Sequence, residues 1–160
     1  MIPAQLRSPI ARDGTAVNQL IQHCPPLDPN SVYCNLLQCS HFADTSVIAE
    51  VDGEVAGFIS GYAVPSRPDT LFIWQVAVGD KARGQGVATR MLRHILDRPR
   101  EQRFRYLETT ITEDNKASWA LFTGLSQKLD AAIEHVLHFD REAHFDGQHE
   151  TEMLVHIGPF

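Results

Sequence analysis

The chain has 160 residues, of which 43% are hydrophobic, and its formal net charge at pH 7 is −6. This length predicts a single compact domain over residues 1–160 and leaves too little sequence for two. The negative charge argues against a nucleic-acid partner. The N-terminus lacks the apolar core of a signal peptide and no apolar run reaches the ~18 residues of a membrane-spanning helix, so a soluble intracellular protein without a membrane partner is predicted.

The first part of the chain predicts a short strand and two helices. Residues 6–10 are a weak strand candidate, and Asp13 is positioned to cap a helix that the prolines at 25, 26 and 29 would end. Asn30 or Ser31 is expected to cap the second helix. The inward-facing residues of that helix are predicted to be Val32, Leu36 and Leu37.

A hairpin and a strand-turn-helix unit follow. Ser46 to Val51 and Glu54 to Val64 are predicted strands, because the Asp52-Gly53 pair between them is typical of a two-residue hairpin turn. The apolar run from Leu71 to Val78 predicts a buried strand. After a glycine-containing turn, helical spacing recurs at Val87, Met91, Leu92, Ile95 and Leu96.

The last part of the chain predicts three strands and a helix. The strands are 105–112, 132–139 and 151–157, and Asn115 is expected to cap a helix that runs through Leu129. The fold class is therefore α/β (α+β), with a mixed, mostly antiparallel sheet of about seven strands and helices on both faces.

The turn before the third helix has the features of an anion-binding loop. Gly84 and Gly86 lack a Cβ, so backbone N–H groups can converge at the positive end of the helix dipole, beside Lys81 and Arg83. The loop is not a Walker loop, because no Gly-Lys-Ser/Thr follows, and Thr89 replaces the third glycine of G-x-G-x-x-G. A pyrophosphate site is predicted, with an ordinary glycine-rich turn as the alternative.

The order Arg83-x-x-Gly86-x-Ala88 resembles the acetyl-coenzyme A motif, [Q/R]-x-x-G-x-[G/A], of the Gcn5-related N-acetyltransferase (GNAT) family. The resemblance implies the GNAT fold and acetyl-coenzyme A as co-substrate. It also implies that main-chain groups of Val76 and Val78 align the acetyl-pantetheine arm. The pyrophosphate would then be bound by the backbone amides of Arg83, Gly84, Gln85, Gly86, Val87 and Ala88.

Asn115 opens the second recognisable segment of that family, N-x-x-A-x-x-L-Y, and is assigned to coenzyme binding by the same resemblance. Phe122 stands where the family usually has a tyrosine, which is often assigned as the acid that protonates the leaving thiolate. Core packing is the preferred interpretation of Phe122. A thiolate can leave without a strong acid, so catalysis does not require the hydroxyl.

Three further stretches, 24–39, 72–78 and 152–160, closely resemble the L-2,4-diaminobutyrate acetyltransferases of ectoine biosynthesis. This resemblance implies acetyl transfer to the 4-amino group of a small diamine amino acid, a homodimer and a role in osmotic stress. It implies that the substrate pocket contains Asp28, Tyr33, Trp74, His149 and Glu152. Of these, Glu152, Tyr33 and Asp28 are the candidates for catalysis.

The same residues also have simpler interpretations. Between residues 134 and 152 the chain has six acidic residues and one basic residue, Arg141. Such an acidic segment suits a cationic substrate, yet it also fits a solvated loop. Glu152 begins an apolar strand, where it can hold an ammonium or accept its proton. Asp28 lies between two prolines, where an Asp residue is also common in turns. Tyr33 can simply pack against its neighbours, and Trp74 can be a buried core residue.

Metal or thiol chemistry is not predicted. Cys24, Cys34 and Cys39 form an odd set without C-x-x-C spacing, as in a reduced cytoplasmic protein. The histidines include no H-E-x-x-H, and His135 and His138 would point to opposite faces of a strand. Two alternative functions stay open: acetylation of another amine, such as a polyamine or a protein terminus, and acyl-coenzyme A sensing without catalysis.

Overall fold

A computed structural model describes residues 3–160. The strands are β1 Gln5–Arg7, β2 Val47–Val51, β3 Glu54–Val64, β4 Arg67–Val78, β5 Tyr106–Thr112, β6 Ile133–Phe139 and β7 Glu152–Ile157. The α-helices are α1 Gly14–Gln22, α2 Val32–Ser40, α3 Val87–Leu96 and α4 Lys116–Lys128. The strands are hydrogen bonded in the order β1-β2-β3-β4-β5-β7-β6, with β4 and β5 parallel. The predicted seven-stranded mixed sheet is confirmed.

The chain falls into two compact units. The first unit contains the residues up to Tyr62 together with Trp74–Glu101, and the second contains Ala63–Ile73 and Gln102–Phe160. The single domain over residues 1–160 stays a prediction.

In the first unit, helices cover both faces of the sheet. Ile48 pairs with Phe58 and Ala49 pairs with Gly57 across β2 and β3, so the two pairs face opposite sides. The Ile48 side packs in one cluster with residues of α1 and β4, namely Val17, Ile21 and Ala77. On the other side, a Cβ placed on Gly57 would lie 3.2 Å from Sδ of Met91 in α3. Gly57 therefore allows α3 to pack closely on the sheet.

The β2–β3 hairpin is formed as predicted. Asp52 has φ 54° and Gly53 has φ 76°, both in the left-handed region. A two-residue turn with positive φ at both positions has the backbone twist of the flanking strands. The prediction from the Asp-Gly pair is therefore confirmed.

The predicted capping role of Asp13 is wrong. A 3-10 turn, Ala11–Asp13, runs directly into α1, and the Asp13 side chain makes no capping hydrogen bond to that helix. Its two carboxylate oxygens accept from the Arg7 guanidinium, each at 2.8 Å. Oδ2 also accepts from the backbone N–H of Ile10 at 2.8 Å. The pKa of Asp13 is lowered chiefly by the hydrogen bond from Arg7, so this carboxylate ties β1 to the start of α1.

The buried face of α2 also differs from the prediction. Ser31 is the cap, because its Oγ accepts from the backbone N–H of Cys34 at 3.1 Å. Val32, expected to point inward, is 42% exposed. The fully buried residues of this helix are Asn35, Gln38 and Cys39. Asn35 is buried because its Oδ1 accepts from Asn18 of α1, and its own Nδ2 donates to Gln38. Hydrophobic periodicity did not predict these polar buried positions, although Leu36 packs against Gly14 of α1 as an inward-facing residue would.

In the second unit, β5 lies between β4 and β7 and carries a buried acid. Glu108 is 4% exposed and pairs in register with His156 of β7. Its carboxylate accepts from Arg67 of β4 and lies against the His156 ring. Asn115 caps α4 as predicted, since its Oδ1 accepts from the N–H of Ser118 at 3.2 Å.

Candidate active site

The glycine loop before α3 has the backbone conformation that only glycine adopts readily. Gly84 has φ 74° and Gly86 has φ 69°, and a Cβ at either position would meet no atom within 4 Å. Backbone conformation therefore explains both glycines, whereas crowding by the protein does not. Gly86 occupies the N-cap position of α3, where the loop meets the helix.

The first turn of α3 presents backbone donors. The first helical hydrogen bond of the turn runs from the N–H of Arg90 to the carbonyl of Gly86 at 3.2 Å. The N–H groups of the preceding residues, Val87, Ala88 and Thr89, have no carbonyl within the helix to bind, as at any helix start. Together with the helix dipole, they can bind an anionic group.

Basic side chains beside the loop are held by the protein. Nζ of Lys81 lies 2.7 Å from the Glu54 carboxylate. Nε of Arg83 donates to the carbonyl of Val78 at 2.9 Å, and Nη1 lies 3.2 Å from Asp80. Arg83 thus fixes the loop to the end of β4. Because both cations already have acidic partners, the backbone amides are the principal donors that the loop offers to an anion.

The end of β4 extends beyond its pairing with β5. The parallel register covers Thr70 to Ile73. Val76 and Val78 lie further along the strand, and the Val78 carbonyl accepts from Arg83. The Val78 carbonyl is therefore already engaged within the protein.

The predicted substrate residues of the first unit lie on the second helix, the loop before it and β4. Tyr33 is 70% exposed and Trp74 is 42% exposed, so neither is a core residue. The Trp74 ring packs edge-on against Tyr62 and Phe42, with centroid distances of 6.0 and 6.4 Å. Asp28 lies in the exposed segment that precedes Ser31. The aromatic neighbours hold Trp74 at the surface.

Gln75 is a residue of this region that no sequence motif singled out. Its side chain hydrogen bonds with both Asp28 and Asn30. The available signal was a polar residue inside the apolar run from Leu71 to Val78. Such a residue needs a partner when it is even partly buried.

The second unit holds the other predicted residues. Glu152 is the first residue of β7 and pairs in register with Thr112 of β5. The Thr112 carbonyl accepts from the N–H of Asn115, which places the start of α4 beside the start of β7. His149 precedes them in the β6–β7 loop, with Nδ1 2.7 Å from the Glu150 carbonyl and its ring 4.6 Å from that of Phe145.

The β6–β7 loop is ordered by its own hydrogen bonds. Asp140 Oδ2 accepts from the N–H groups of Glu142 and Ala143, at 3.0 and 2.8 Å. These bonds lower the pKa of the Asp140 carboxyl. Arg141 pairs with Glu150 at 2.9 Å. The acids of this loop therefore include some with structural partners of their own.

Phe122 is 2% exposed, which confirms its predicted packing role. The three cysteines are free thiols. Cys24 and Cys39 are buried and Cys34 is partly buried; burial raises the pKa of Cys39 to about 12.

Within residues 3–160, no group of three or more His, Cys, Asp or Glu could hold a metal ion. No helix in that same range has both the length and the apolar character to cross a membrane.

The chain resembles a known family over most of its length. The model of the Acetyltransferase (GNAT) family matches residues 15–125. The chain is 62% identical over 155 residues to an L-2,4-diaminobutyric acid acetyltransferase of Methylotuvimicrobium alcaliphilum, covering 97% of this chain and 90% of the relative. It is 50% identical to the enzyme of the same name from Vibrio parahaemolyticus, covering 94% and 83% of the two chains.

A solved structure gives the same result. Diaminobutyrate acetyltransferase EctA from Paenibacillus lautus, in complex with its substrate L-2,4-diaminobutyric acid and coenzyme A, aligns with a TM-score of 0.94 and 40% identity. The alignment covers 99% of this chain and 96% of that chain. The chain therefore belongs to the GNAT acetyltransferases and, among them, to the L-2,4-diaminobutyric acid acetyltransferases.

Proposed function

We propose that this enzyme transfers acetyl from acetyl-coenzyme A to the 4-amino group of L-2,4-diaminobutyric acid, giving the N4-acetyl product used in ectoine biosynthesis. The observation that carries the proposal is the match, along nearly the whole chain, to relatives of that activity. The left-handed glycines ahead of α3 support the coenzyme part independently, because they leave room for a phosphate against the backbone.

Several main-chain groups and one side chain are suited to bind acetyl-coenzyme A. The loop Arg83–Ala88 would bind the pyrophosphate with backbone N–H groups, in the field of the α3 dipole. The Val76 main chain would hold the thioester carbonyl, where a backbone N–H stabilises the negative charge that develops on its oxygen. Asn115, the cap of α4, is assigned to coenzyme binding through the family resemblance. The coenzyme supplies the activated acetyl group.

Acidic and aromatic residues would act on the amine. The attacking amine must be neutral, since an ammonium has no free electron pair. Glu152 would accept its proton, directly or through a water molecule, while Asp28 attracts the remaining positive charge. Tyr33, Trp74 and His149 would shape the pocket around the carbon chain. Direct attack within a ternary complex then transfers the acetyl group, and the thiolate leaves without a tyrosine acid.

The experiment is acetyl-coenzyme A-dependent thiol release with L-2,4-diaminobutyric acid, ornithine, lysine, a polyamine or no amine, followed by mass analysis. Selective turnover of diaminobutyric acid with acetylation at N4 is expected. Preferred turnover of another amine would contradict the substrate assignment but leave the assignment of the coenzyme site intact. Coenzyme binding without release in any reaction would support the alternative of a non-catalytic sensor.

We also propose that the enzyme is a homodimer paired through β6. This strand is the last in the sheet order, and Val136 and Leu137 on its opposite faces are 61% and 56% exposed. Exposed apolar residues on an edge strand favour pairing with another strand. Antiparallel pairing of two β6 strands about Val136 would set Glu134 of each copy opposite His138 of the other.

The dimer proposal predicts a mass of two chains by light scattering. Val136→Lys should give a monomer, because two lysines would then meet at the centre of the pairing. Val32→Lys, an exposed apolar position on α2, is the matched control and should remain dimeric. A dimer that survives Val136→Lys would place the interface elsewhere.

A cytoplasmic location and a role in osmotic stress are proposed with the function. The three free thiols support a reducing compartment. A nucleic-acid partner is not proposed, since the chain carries a net charge of −6.

A further inference from the structure

Gln75 joins β4 to the segment Asp28-Pro29-Asn30. Its Nε2 donates to the carbonyl of Asp28 at 3.1 Å, and its Oε1 accepts from Nδ2 of Asn30 at 2.6 Å. A carboxamide can do both because it carries a donor and an acceptor on one planar group. One side chain therefore holds both ends of a three-residue segment, and the proline between them fixes one backbone torsion.

The same segment is held from a second side. Nδ2 of Asn18 donates to the carbonyl of Asn30 at 2.8 Å and to Oδ1 of Asn35 at 3.0 Å. Asn18 is 6% exposed and Asn35 is fully buried, so the bond between their side chains is shielded from water, and the bond to the Asn30 carbonyl is partly buried. The segment has no helix or strand of its own. Its position therefore depends on these side-chain amides.

The other end of this arrangement is the strand beside the proposed acetyl site. The backbone N–H of Gln75 donates to Oγ of Ser60 on β3 at 3.2 Å, which fixes the main chain at this point. Gln75 lies between Trp74 and Val76 in sequence. A residue fixed in this strand thus sets the position of a loop that carries a proposed amine ligand.

We propose that Gln75 is a positioning residue for the amine substrate. It places the Asp28 carboxylate, and with it the start of α2 at Tyr33, relative to β4 without touching the substrate itself. The inference rests on the proposed function, because it assumes that Asp28 binds diaminobutyric acid. Loss of such positioning is expected to weaken amine binding far more than coenzyme binding, since the glycine loop has separate supports.

The test measures KM for diaminobutyric acid, kcat and coenzyme Kd in Gln75→Met, Asn30→Ala and the double variant. Gln75→Met removes both hydrogen bonds at nearly constant volume and should raise the amine KM about tenfold, with kcat changed less and coenzyme Kd unchanged. Gln127→Met on the exposed face of α4 is the matched control and should behave as the parent enzyme.

Asn30→Ala breaks the hydrogen bond from the opposite side and carries the test if Gln75→Met does not fold. Because both changes remove one shared bond, their effects on the amine KM should not add in the double variant. Additive effects, an amine KM within about twofold of the parent in Gln75→Met, or an equal loss of coenzyme affinity would each overturn the proposal.

Asp28→Asn separates this inference from the function on which it rests. A raised amine KM in Asp28→Asn with a normal KM in Gln75→Met would overturn only the positioning role. A normal KM in Asp28→Asn would overturn the assignment of Asp28, and with it the proposed role of Gln75, while leaving acetyl transfer intact.

Discussion

Oε2 of Glu108 lies 2.8 Å from Nδ1 of His156 across the β5–β7 pair, and both Glu108 oxygens accept from Arg67 at 2.8 and 2.9 Å. Burial favours the neutral acid and alone would raise the pKa of Glu108. The hydrogen bonds from Arg67 and His156 outweigh this effect, so the pKa is lowered from its ordinary 4.5. The ionised carboxylate is therefore part of the folded structure.

Glu108→Gln should reduce the free energy of unfolding at neutral pH by about 2 kcal/mol, because Arg67 and His156 lose a charged partner. A group with a lowered folded pKa stabilises the fold above its unfolded pKa, and that stabilisation disappears as pH falls through the folded value. The difference in the free energy of unfolding between parent and variant should thus shrink below pH 4.5. Urea denaturation on both sides of that pH measures it, with exposed Glu113→Gln as the control. A difference independent of pH would contradict the prediction.

Gly86→Val should weaken coenzyme binding about tenfold or more, which corresponds to about 1.4 kcal/mol, because the side chain would occupy the space proposed for the pyrophosphate. The positive φ also costs stability, by about 1–2 kcal/mol. Gly53→Val in the hairpin is a matched control, since Gly53 has φ 76° and equally open surroundings. Thermal melting should show similar losses of melting temperature in the two variants. Calorimetric titration should show a loss of coenzyme affinity only in Gly86→Val. Equal coenzyme affinities of Gly86→Val and Gly53→Val would refute the loop as the pyrophosphate site.

Glu152→Gln should lower kcat by about 10²–10⁴-fold, the usual contribution of a general base, and leave coenzyme affinity unchanged. Glu150→Gln is a suitable control, because Glu150 lies two residues away and pairs with Arg141 at the surface. Steady-state kinetics with diaminobutyric acid provide the measurement. Near-normal turnover would remove Glu152 from the mechanism.

Phe122→Tyr restores the tyrosine usual in the wider family but should not raise turnover. The side chain is 2% exposed, so a hydroxyl there is buried and costs about 1–3 kcal/mol without a partner. Thermal melting and turnover per folded enzyme test this. An increase in turnover would identify the position as an acid after all.

Predictions from the sequence succeeded where one local rule determines the structure. The hairpin at Asp52-Gly53, the cap at Asn115 and the buried face of α3 each follow from turn chemistry, capping or helical periodicity. They failed where a partner outside the helix decides. Asp13 pairs with Arg7 instead of capping α1, and α2 buries Asn35 because Asn18 of another helix supplies its hydrogen bond.

The candidate site divides in the same way. The glycine turn before α3 could be predicted from its own residues, since left-handed backbone conformation is a local property, and its role as a pyrophosphate site stays a prediction. The role of Gln75 could not be predicted from the sequence, because its partners lie about 45 residues earlier in the chain. The loop acids were no easier to judge, as Asp140 is engaged by neighbouring N–H groups that no spacing rule reveals.

The unequal burial of the three thiols makes this enzyme convenient to label. Cys24 and Cys39 are at most 4% exposed, and burial raises the pKa of Cys39 to about 12, so both should resist maleimides near neutral pH. Burial raises the pKa of the Cys34 thiol as well, but Cys34 is only partly buried and directly follows Tyr33, so it is the thiol that a reagent can reach. A fluorophore attached there would report on the start of α2 without any engineered cysteine. Its quenching on addition of diaminobutyric acid would give an optical signal of amine binding, separate from thiol release.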